Sequence, residues 1–552
     1  MIDDTTSPDF PRTMPAHPAS SPGTDTWYNP HMHRSPRRTS GLLFASTAAA
    51  LVVAAVAGTA PAAAAPGDPF RPAMHYTPAR NWMNDPNGLV YHNGRYHLFY
   101  QHNPSGPGWA NMSWGHAVST DLRTWREQPI AIRGDRDAEI YSGSAVVDHR
   151  NTSGFGTAGN PPMVAIYTAR YRSGRQAQSL AYSTDDGRTW TKYRGNPVLD
   201  RGSTNFRDPK VFWYSTDGSG GYWVMTAVEA LDRKVVLYRS DDLLTWRPLS
   251  EFGPGSDYRG IWECPDLFPL PVDGNPGRTK WVLVVSHNPA TVDVLPPVPD
   301  ISPRLLKGTG TRYFVGDFDG TRFTADGPPR FVDDGRDFYA GVTFNDAPAN
   351  KRIMMAWMSN WLYAQQTPTG RWRGAMTLPR ELSLRTVAGR PTLISEPIAG
   401  QGRTVYSQRD VAVGPDDVTL PVRPRAYRVH AEFRPGTARR FGLTVHKSAD
   451  GAERTRISYD VAAGTLSVDR TRSGNVLFGP VFPSVESVRV PLRDGKLSLD
   501  VYVDASSVEA FAQGGSHTIT DLVFPNPASN DISVDSAGGQ ARLDSLTVTA
   551  TD

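Results

Sequence analysis

From residue 66 onward the chain alternates short apolar runs with polar, glycine-rich breaks. No long segment there repeats its apolar positions every three to four residues, so strands and not helices are expected to build it. One pattern of strand, polar turn and aromatic recurs. Ser119-Thr120-Asp121-Leu122-Arg123-Thr124-Trp125 returns as Ser183-Thr184-Asp185-Asp186-Gly187-Arg188-Thr189-Trp190 and as Ser240-Asp241-Asp242-Leu243-Leu244-Thr245-Trp246. A looser copy is Gly316-Asp317-Phe318-Asp319-Gly320-Thr321-Arg322-Phe323. The copies stand about 55 to 80 residues apart, room for a four-stranded sheet and its loops, and such repetition predicts a β-propeller. Its innermost strands, covered on both faces, are expected to be apolar or small throughout. Residues 164–168, 223–227, 281–285 and 353–357 fit, and with 96–100 they predict five blades. From about Ile394 the texture changes to alternation, as in Ile457-Ser458-Tyr459-Asp460, Thr465-Leu466-Ser467-Val468-Asp469 and Leu497-Ser498-Leu499-Asp500-Val501. That is the pattern of antiparallel sheets with one buried face. The expected architecture is all-β, a five-bladed β-propeller over 66–393 followed by a β-sandwich over 394–552.

Residues 1–65 have the character of an export segment. Arg37-Arg38 precedes an apolar stretch, no charged residue follows until Asp68, and Pro61-Ala62-Ala63-Ala64-Ala65-Pro66 is a small-residue cleavage pattern. The paired arginines suggest twin-arginine export, with Sec export as the alternative. A retained anchor is the competing reading, since 41–60 is nearly long enough to span a bilayer. The residues before Met32 are polar and Pro-rich, which makes Met32 an alternative start. The expectation is a secreted, extracellular protein with no stable membrane association once the signal is removed. The remaining chain of about 490 residues exceeds one ordinary core, in line with two domains. A formal net charge of +3 gives no electrostatic case for nucleic acid. A single cysteine, Cys264, excludes an internal disulfide framework. The 14 Trp, 21 Tyr and 21 Phe beside 50 Gly and 47 Pro suit short strands, many turns and aromatic surfaces for stacking on sugars.

Three acidic motifs carry the candidate chemistry. Asn84-Asp85-Pro86-Asn87-Gly88 sets Asp85 in a turn-prone frame. Pro86 biases Asp85 toward extended backbone and Asn87-Gly88 tolerates positive φ. The hairpin expected at Asn93-Gly94 follows at once. Asp85 is the candidate nucleophile, although a structural Asx-turn explains the motif taken alone. Arg207-Asp208-Pro209 puts Asp208 beside a guanidinium, which should keep it ionised. Trp262-Glu263-Cys264-Pro265 puts Glu263 among groups of low polarity, surroundings that favour a protonated, donating carboxyl. The blade spacing can bring all three to one end of a central channel.

Taken together these motifs resemble the three signatures of glycoside hydrolase family 32, the β-fructofuranosidases. Intermediate segments agree: Leu98-Phe99-Tyr100-Gln101, Trp114-Gly115-His116-Ala117, Tyr141-Ser142-Gly143-Ser144-Ala145 and Thr377-Leu378-Pro379-Arg380-Glu381-Leu382. The resemblance runs from about His75 to the C-terminus and implies a propeller joined to a sandwich. It implies a retaining double displacement, in which Asp85 attacks the anomeric C2 of a terminal fructofuranosyl unit. Glu263 protonates the leaving oxygen and later serves as base, while Asp208 binds fructose hydroxyls and stabilises the transition state. It further implies that Asn84, Gln101, Trp109, Tyr141, Ser142 and Arg207 line the fructose pocket, with Tyr339 and Trp361 as further wall residues.

Several other features take plainer readings. His116 is expected to be a packed strand histidine, Met354-Met355 core filling, Cys264 a small buried thiol, and Glu139 and Asp266 structural. No dense Asp/Asn loop has metal-ligand spacing, so neither metal nor cofactor is expected. A Pro-rich insert, Leu295-Pro296-Pro297-Val298-Pro299-Asp300-Ile301-Ser302-Pro303, replaces a shorter connection in the family and bears on chain-length preference. The segments Trp357-Met358-Ser359-Asn360-Trp361 and Pro368-Thr369-Gly370-Arg371-Trp372 look more like levanase or exo-inulinase than intracellular invertase. The expected protein is an exo-acting β-fructofuranosidase releasing fructose from levan or inulin, and from sucrose. An endo-levanase, a fructosyltransferase and a non-catalytic fructan-binding protein are the alternatives. The sequence leaves linkage preference, oligomeric state and the role of the sandwich open.

Overall fold

The computed structural model describes residues 67–216, 220–253, 260–289 and 307–551. The export segment with Arg37-Arg38, the alternative start at Met32 and the Pro-rich insert lie outside these residues. Among the described residues there is no α-helix; short 3₁₀ turns such as Ala364–Gln366 join strands. Five antiparallel four-stranded blades follow one another along the chain. The first is Asn81–His92, Arg95–Asn103, Ser113–Ser119 and Arg126–Ile132. The second is Ala138–Val147, Met163–Tyr171, Gln176–Ser183 and Thr191–Lys192; the third is Phe206–Thr216, Gly220–Glu229, Lys234–Ser240 and Arg247–Phe252. The fourth comprises Ile261–Val272, Asn275–Asn288, Gly310–Phe318 and Phe323–Ala325, and the fifth Tyr339–Thr343, Arg352–Trp357, Arg380–Val387 and Arg390–Pro397. Trp372–Arg373, from the fifth blade's internal connection, pairs in parallel with Asn81 and Trp82 of the first and closes the ring.

The recurrent polar turn joins the third and fourth strands of four blades, and one device builds it. An aspartate accepts from backbone N–H groups ahead of it: Asp121 from Arg123 and Thr124 at 2.9 and 2.8 Å, Asp242 from Leu244 and Thr245 at 2.8 and 2.7 Å, and Asp319 from Thr321 and Arg322 at 2.8 and 2.7 Å. In the second blade Asp185 holds Thr189 in the same way at 2.9 Å. The tryptophan then folds back, its Nε1 donating to the carbonyl of the third residue before it in Trp125, Trp190 and Trp246, at 3.0–3.1 Å. The side chain thus replaces ladder bonds that the turning backbone cannot make.

One sequence expectation is corrected. The continuously apolar runs 96–100, 164–168, 223–227, 281–285 and 353–357 belong to the second strand of each blade. They are apolar because they are sandwiched between neighbouring blades. The innermost strands are the first of each blade, and they carry the polar motifs because they line the channel.

The sandwich consists of two six-stranded sheets. Tyr427–Arg434, Leu497–Asp504, Ser507–Ala512 and His517–Leu522 lie in one; Arg440–Lys447, Arg454–Asp460, Thr465–Arg472 and Asp531–Ala537 lie in the other. Tyr427, Val429, Ala431 and Phe433 alternate with half-buried polar residues and meet Ile457, Tyr459, Leu466 and Val468 in one core. The period of two therefore delivers its apolar face inward, as the alternation predicted.

Candidate active site

Every innermost strand slips register against its neighbour at the same level, with two residues facing one. The doubled residues are Asn84-Asp85 opposite Gln101, Tyr141-Ser142 opposite Thr168, Asp208-Pro209 opposite Ala227, Cys264-Pro265 opposite Val285, and Ala340-Gly341 opposite Ala356. These are β-bulges, which bend a strand and re-aim its side chains. Asp208, Cys264 and Ala340 take positive φ of 62°, 48° and 55°, a costly conformation for residues with a Cβ. The turn expected around Asp85 is such a bulge inside the long strand Asn81–His92. Gly88, at φ +54°, begins a second bulge, Gly88-Leu89 opposite Leu98, and a Cβ there would stand 2.6 Å from the Phe99 ring.

The bulges of the first three blades, together with Glu263 just before that of the fourth, line a cavity of about 470 Å³. Asn84, Asp85, Gln101, Trp109, Tyr141, Ser142, Arg207, Asp208, Glu263 and Trp361 line it. Tyr339 lies behind the wall, and its hydroxyl donates to Glu263 Oε2. Gln176, Ile261, Asn288 and Gln365 line the cavity as well, although no sequence motif singles them out. Gln176 shows itself only in three dimensions, where its Oε1 accepts from Arg207 Nη1 at 3.4 Å.

Asp85 is held on three sides. Ser142 Oγ donates to its Oδ2 at 2.7 Å and Asn84 Nδ2 to its Oδ1 at 3.1 Å; Asn84 is itself fixed by Trp82 Nε1 at 2.7 Å. The Cys264 thiol stands 3.5 Å from Asp85 Oδ2 and 3.7 Å from Asp208 Oδ2, and the Cys264 backbone N–H donates to Asp208 at 3.0 Å. Cys264 is thus more than a space-filling thiol: it is the shared neighbour of two carboxylates. Thr168 Oγ1, on the second strand of the second blade, accepts from the Asp208 backbone N–H at 2.9 Å and fixes the bulge from the neighbouring blade.

The electrostatics depart from the sequence expectation for two carboxylates. Arg207 turns away from its neighbour in sequence: its Nε donates to Glu263 Oε1 at 3.1 Å and stays 3.9 Å from Asp208 Oδ2. Glu263 therefore sits between a guanidinium and a phenol, not among groups of low polarity; Trp262 packs between blades instead, against Phe252 and Phe314. Asp208, expected to stay ionised, is pushed up to about 7, chiefly by burial. Arg207 opposes that shift, and the charges of Glu263 and Asp85 add to it. Asp85 is also raised, first by burial and then by Glu263, against the hydrogen bonds from Ser142 and Asn84. Like charges crowded out of water resist ionising together. On Arg207 burial works against the charge, yet Glu263 and Asp208 outweigh it and raise its pKa.

Of the remaining sequence readings, His116 is buried, stacked 4.3 Å from Phe99 and held neutral by burial. Asp266 pairs with Lys210 at 3.3 Å and accepts from Thr343 N at 2.7 Å, which pins the fourth and fifth blades together. Glu139 reaches Arg170 at 3.5 Å. Among the described residues no group of three or more His, Cys, Asp or Glu side chains is arranged to hold a metal ion.

Two family descriptions match the chain: "Glycosyl hydrolases family 32 N-terminal domain" over residues 75–397 and "Glycosyl hydrolases family 32 C terminal" over 400–550. A levanase of Bacillus subtilis (strain 168) is 44% identical over 496 residues, covering 87% of this chain and 70% of its own. An extracellular exo-inulinase of Aspergillus niger is 39% identical over 526 residues, covering 88% of this chain and 95% of its own. The crystal structure of an exo-inulinase from Aspergillus awamori aligns with a TM-score of 0.80 at 38% identity, over 88% of this chain and 99% of that one. A β-fructofuranosidase from Schwanniomyces occidentalis, complexed with fructosyl-erythritol, aligns at 0.78 and 31% identity, over 87% and 97%.

Proposed function

The chain belongs to glycoside hydrolase family 32 and hydrolyses fructan or sucrose, and from that premise we propose an extracellular, exo-acting β-fructofuranosidase that works with retention. The observation that carries this reading is the convergence of Asp85, Asp208 and Glu263 on one cavity, each with a different set of partners. Asp85, steered by Ser142 and Asn84, attacks C2 of a terminal fructofuranosyl unit and forms the fructosyl ester. Glu263 gives its proton to the departing oxygen, then takes one from the water that opens the ester. Tyr339 and Arg207 aim it through both steps. Asp208 binds fructose hydroxyls and stabilises the positive charge that develops at the anomeric centre. A cavity with Asp85 and Asp208 buried at its depth suits a chain end better than a chain interior, which supports exo action. The names of the relatives support levan and inulin as polymers, sucrose as a further substrate and an extracellular location.

Incubation with levan, inulin and sucrose tests the proposal. Fructose is expected as the sole early product from the polymers, and its first-formed anomer, followed by NMR, as the β form. Short oligosaccharides early in the reaction would refute exo action; α-fructose would refute retention.

A further inference from the structure

The turn that follows the fifth blade's second strand, 358–366, brings Trp361 and Gln365 into the cavity. Gln365 is exposed and Trp109, opposite, is 41% exposed, whereas Asp85 and Asp208 are buried. The turn therefore forms the mouth of the cavity and the carboxylates its floor. Within the propeller the turn is held by Asn360, which donates to the Arg336 carbonyl at 2.9 Å, and by Arg373, which donates to the Gln365 carbonyl at 2.6 Å; a further polar anchor comes from the other domain. Tyr363, 1% exposed, donates its hydroxyl to Asp337 Oδ1 at 2.7 Å and accepts from Arg470 Nη2 at 2.9 Å. Arg470 belongs to the sandwich strand Thr465–Arg472 and is fully buried. Its other donors reach Asp337 Oδ2 at 2.6 Å, the Leu522 carbonyl at 3.1 Å and the Phe482 carbonyl at 3.0 Å, and its guanidinium lies 4.1 Å over the Phe482 ring. Two residues before Tyr363, the Trp361 ring stacks on Trp82 at 5.8 Å and 27°. Trp82 in turn holds Asn84.

We propose that Arg470 and Tyr363 are positioning residues through which the sandwich sets Trp361 and Gln365 against the part of a fructan chain that lies beyond its terminal fructose. The inference rests on the fructosidase reading for the identity of the ligand. With the terminal unit at the carboxylate floor, the next units occupy the mouth, so a mouth fixed from the sandwich governs affinity for the polymer more than the chemical step. An arginine making five hydrogen bonds inside a buried interface is a rigid support, and the Tyr363 hydroxyl is its link to the turn.

Arg470→Gln leaves Asp337 and Asp521 without their cation and is expected to unfold, so the test uses Tyr363→Phe, which keeps the ring and removes the link. Loss of the hydroxyl's two hydrogen bonds, to Asp337 and from Arg470, is expected to raise KM for inulin roughly five- to tenfold, with kcat changed by less than about twofold. In a Trp361→Ala background the same substitution should add little, because the side chain through which it acts is gone. Amide hydrogen exchange of residues 361–366 in Tyr363→Phe should quicken, while the sandwich core stays protected. An unchanged KM, an equal KM rise in both backgrounds, or unchanged exchange in 361–366 would each overturn the inference. A wild-type protein inactive on fructan and sucrose would sink the fructosidase reading instead, and the exchange rates would still decide the positioning role.

Discussion

Three carboxylates within one water-poor cavity set the chemistry at the scale of single residues. Asp85→Asn keeps the shape of the side chain and one of its two acceptor oxygens, so it should lower kcat on sucrose by more than about a thousandfold while circular dichroism shows the wild-type fold. Residual turnover near the wild-type level would remove Asp85 from the nucleophile role. Asp208 makes a second prediction. Its folded-state value of about 7 lies above the ordinary 3.8, so the folded state binds more protons than the unfolded one between those limits. Its contribution to stability therefore falls as pH rises from about 4 to 7. In Asp208→Asn that loss disappears, and the melting temperature relative to wild type should be higher at pH 7 than at pH 5. Calorimetry at the two pH values checks it. The three acidic motifs could be picked out of the sequence because proline and glycine mark bulges and turns in local composition. The groups each carboxylate faces could not. Arg207 adjoins Asp208 along the chain, yet its side chain reaches Glu263 from a different blade, and chain neighbours on a bulged strand point in different directions.

At the scale of elements, the repeated unit is a blade whose inner strand is broken at one level and whose outer turn is closed by an aspartate and an aromatic. The turn was legible because every bond in it is local: Asp121, Asp185, Asp242 and Asp319 each reach no further than four residues. The inner strand was not, because a strand lining a channel is polar at one end and apolar at the other, and that hides its periodicity. The first blade gives a test. Gly88→Ala places a Cβ 2.6 Å from Phe99 Cδ2 at a φ that L residues avoid, so it should cost about 2–3 kcal/mol in stability. Gly88 belongs to a second bulge, Gly88-Leu89 opposite Leu98, three residues beyond Asp85 on the same strand, so kcat should fall with it. Asp242→Ala, at a turn far from the cavity, should cost about 1–2 kcal/mol by freeing two backbone N–H groups while kcat holds. Denaturant midpoints together with kcat separate the two cases.

At the scale of the whole molecule, buried charge runs between the apolar clusters that pack propeller against sandwich, Met358 and Tyr363 on Phe482 and Phe524, and Leu378 on Tyr502 and Phe511. His75, ahead of the first blade, bonds Asp504 and Glu509 of the sandwich at 2.8 Å each, with all three side chains fully buried. Arg380 of the fifth blade links Asp333 to Glu509, and Arg470 links Asp337 to Asp521. Burial opposes the charge on His75, but the two carboxylates outweigh it and raise its pKa to about 9, so its stabilisation is whole below 6.5 and is lost as pH rises through 9. Glu509 is depressed to about 2 despite its burial, chiefly by Arg380; its stabilisation is whole above 4.5 and fades as pH falls toward 2. Burial lifts Asp521 to about 8, which erodes stability as pH climbs from about 4. Melting temperature should therefore peak near about pH 4 to 4.5 and decline above it, more steeply beyond about 6.5, where the loss at His75 joins in. His75→Ala should flatten the decline near pH 9 and cost about 3–5 kcal/mol near pH 6. The sequence displayed the alternation that makes a sandwich but not this seam, whose partners lie in separate domains hundreds of residues apart. The seam has a practical corollary for anyone cutting the gene into parts. A greasy joint, once exposed, can be repaired with a few polar surface substitutions. Here, removing the sandwich would strip Arg380 and Asp337 of partners, and deleting the short lead-in that bears His75 would leave Asp504 and Glu509 facing each other without their imidazole. Fructosidases of this build should resist both trimming and domain exchange unless both sides of the joint travel together.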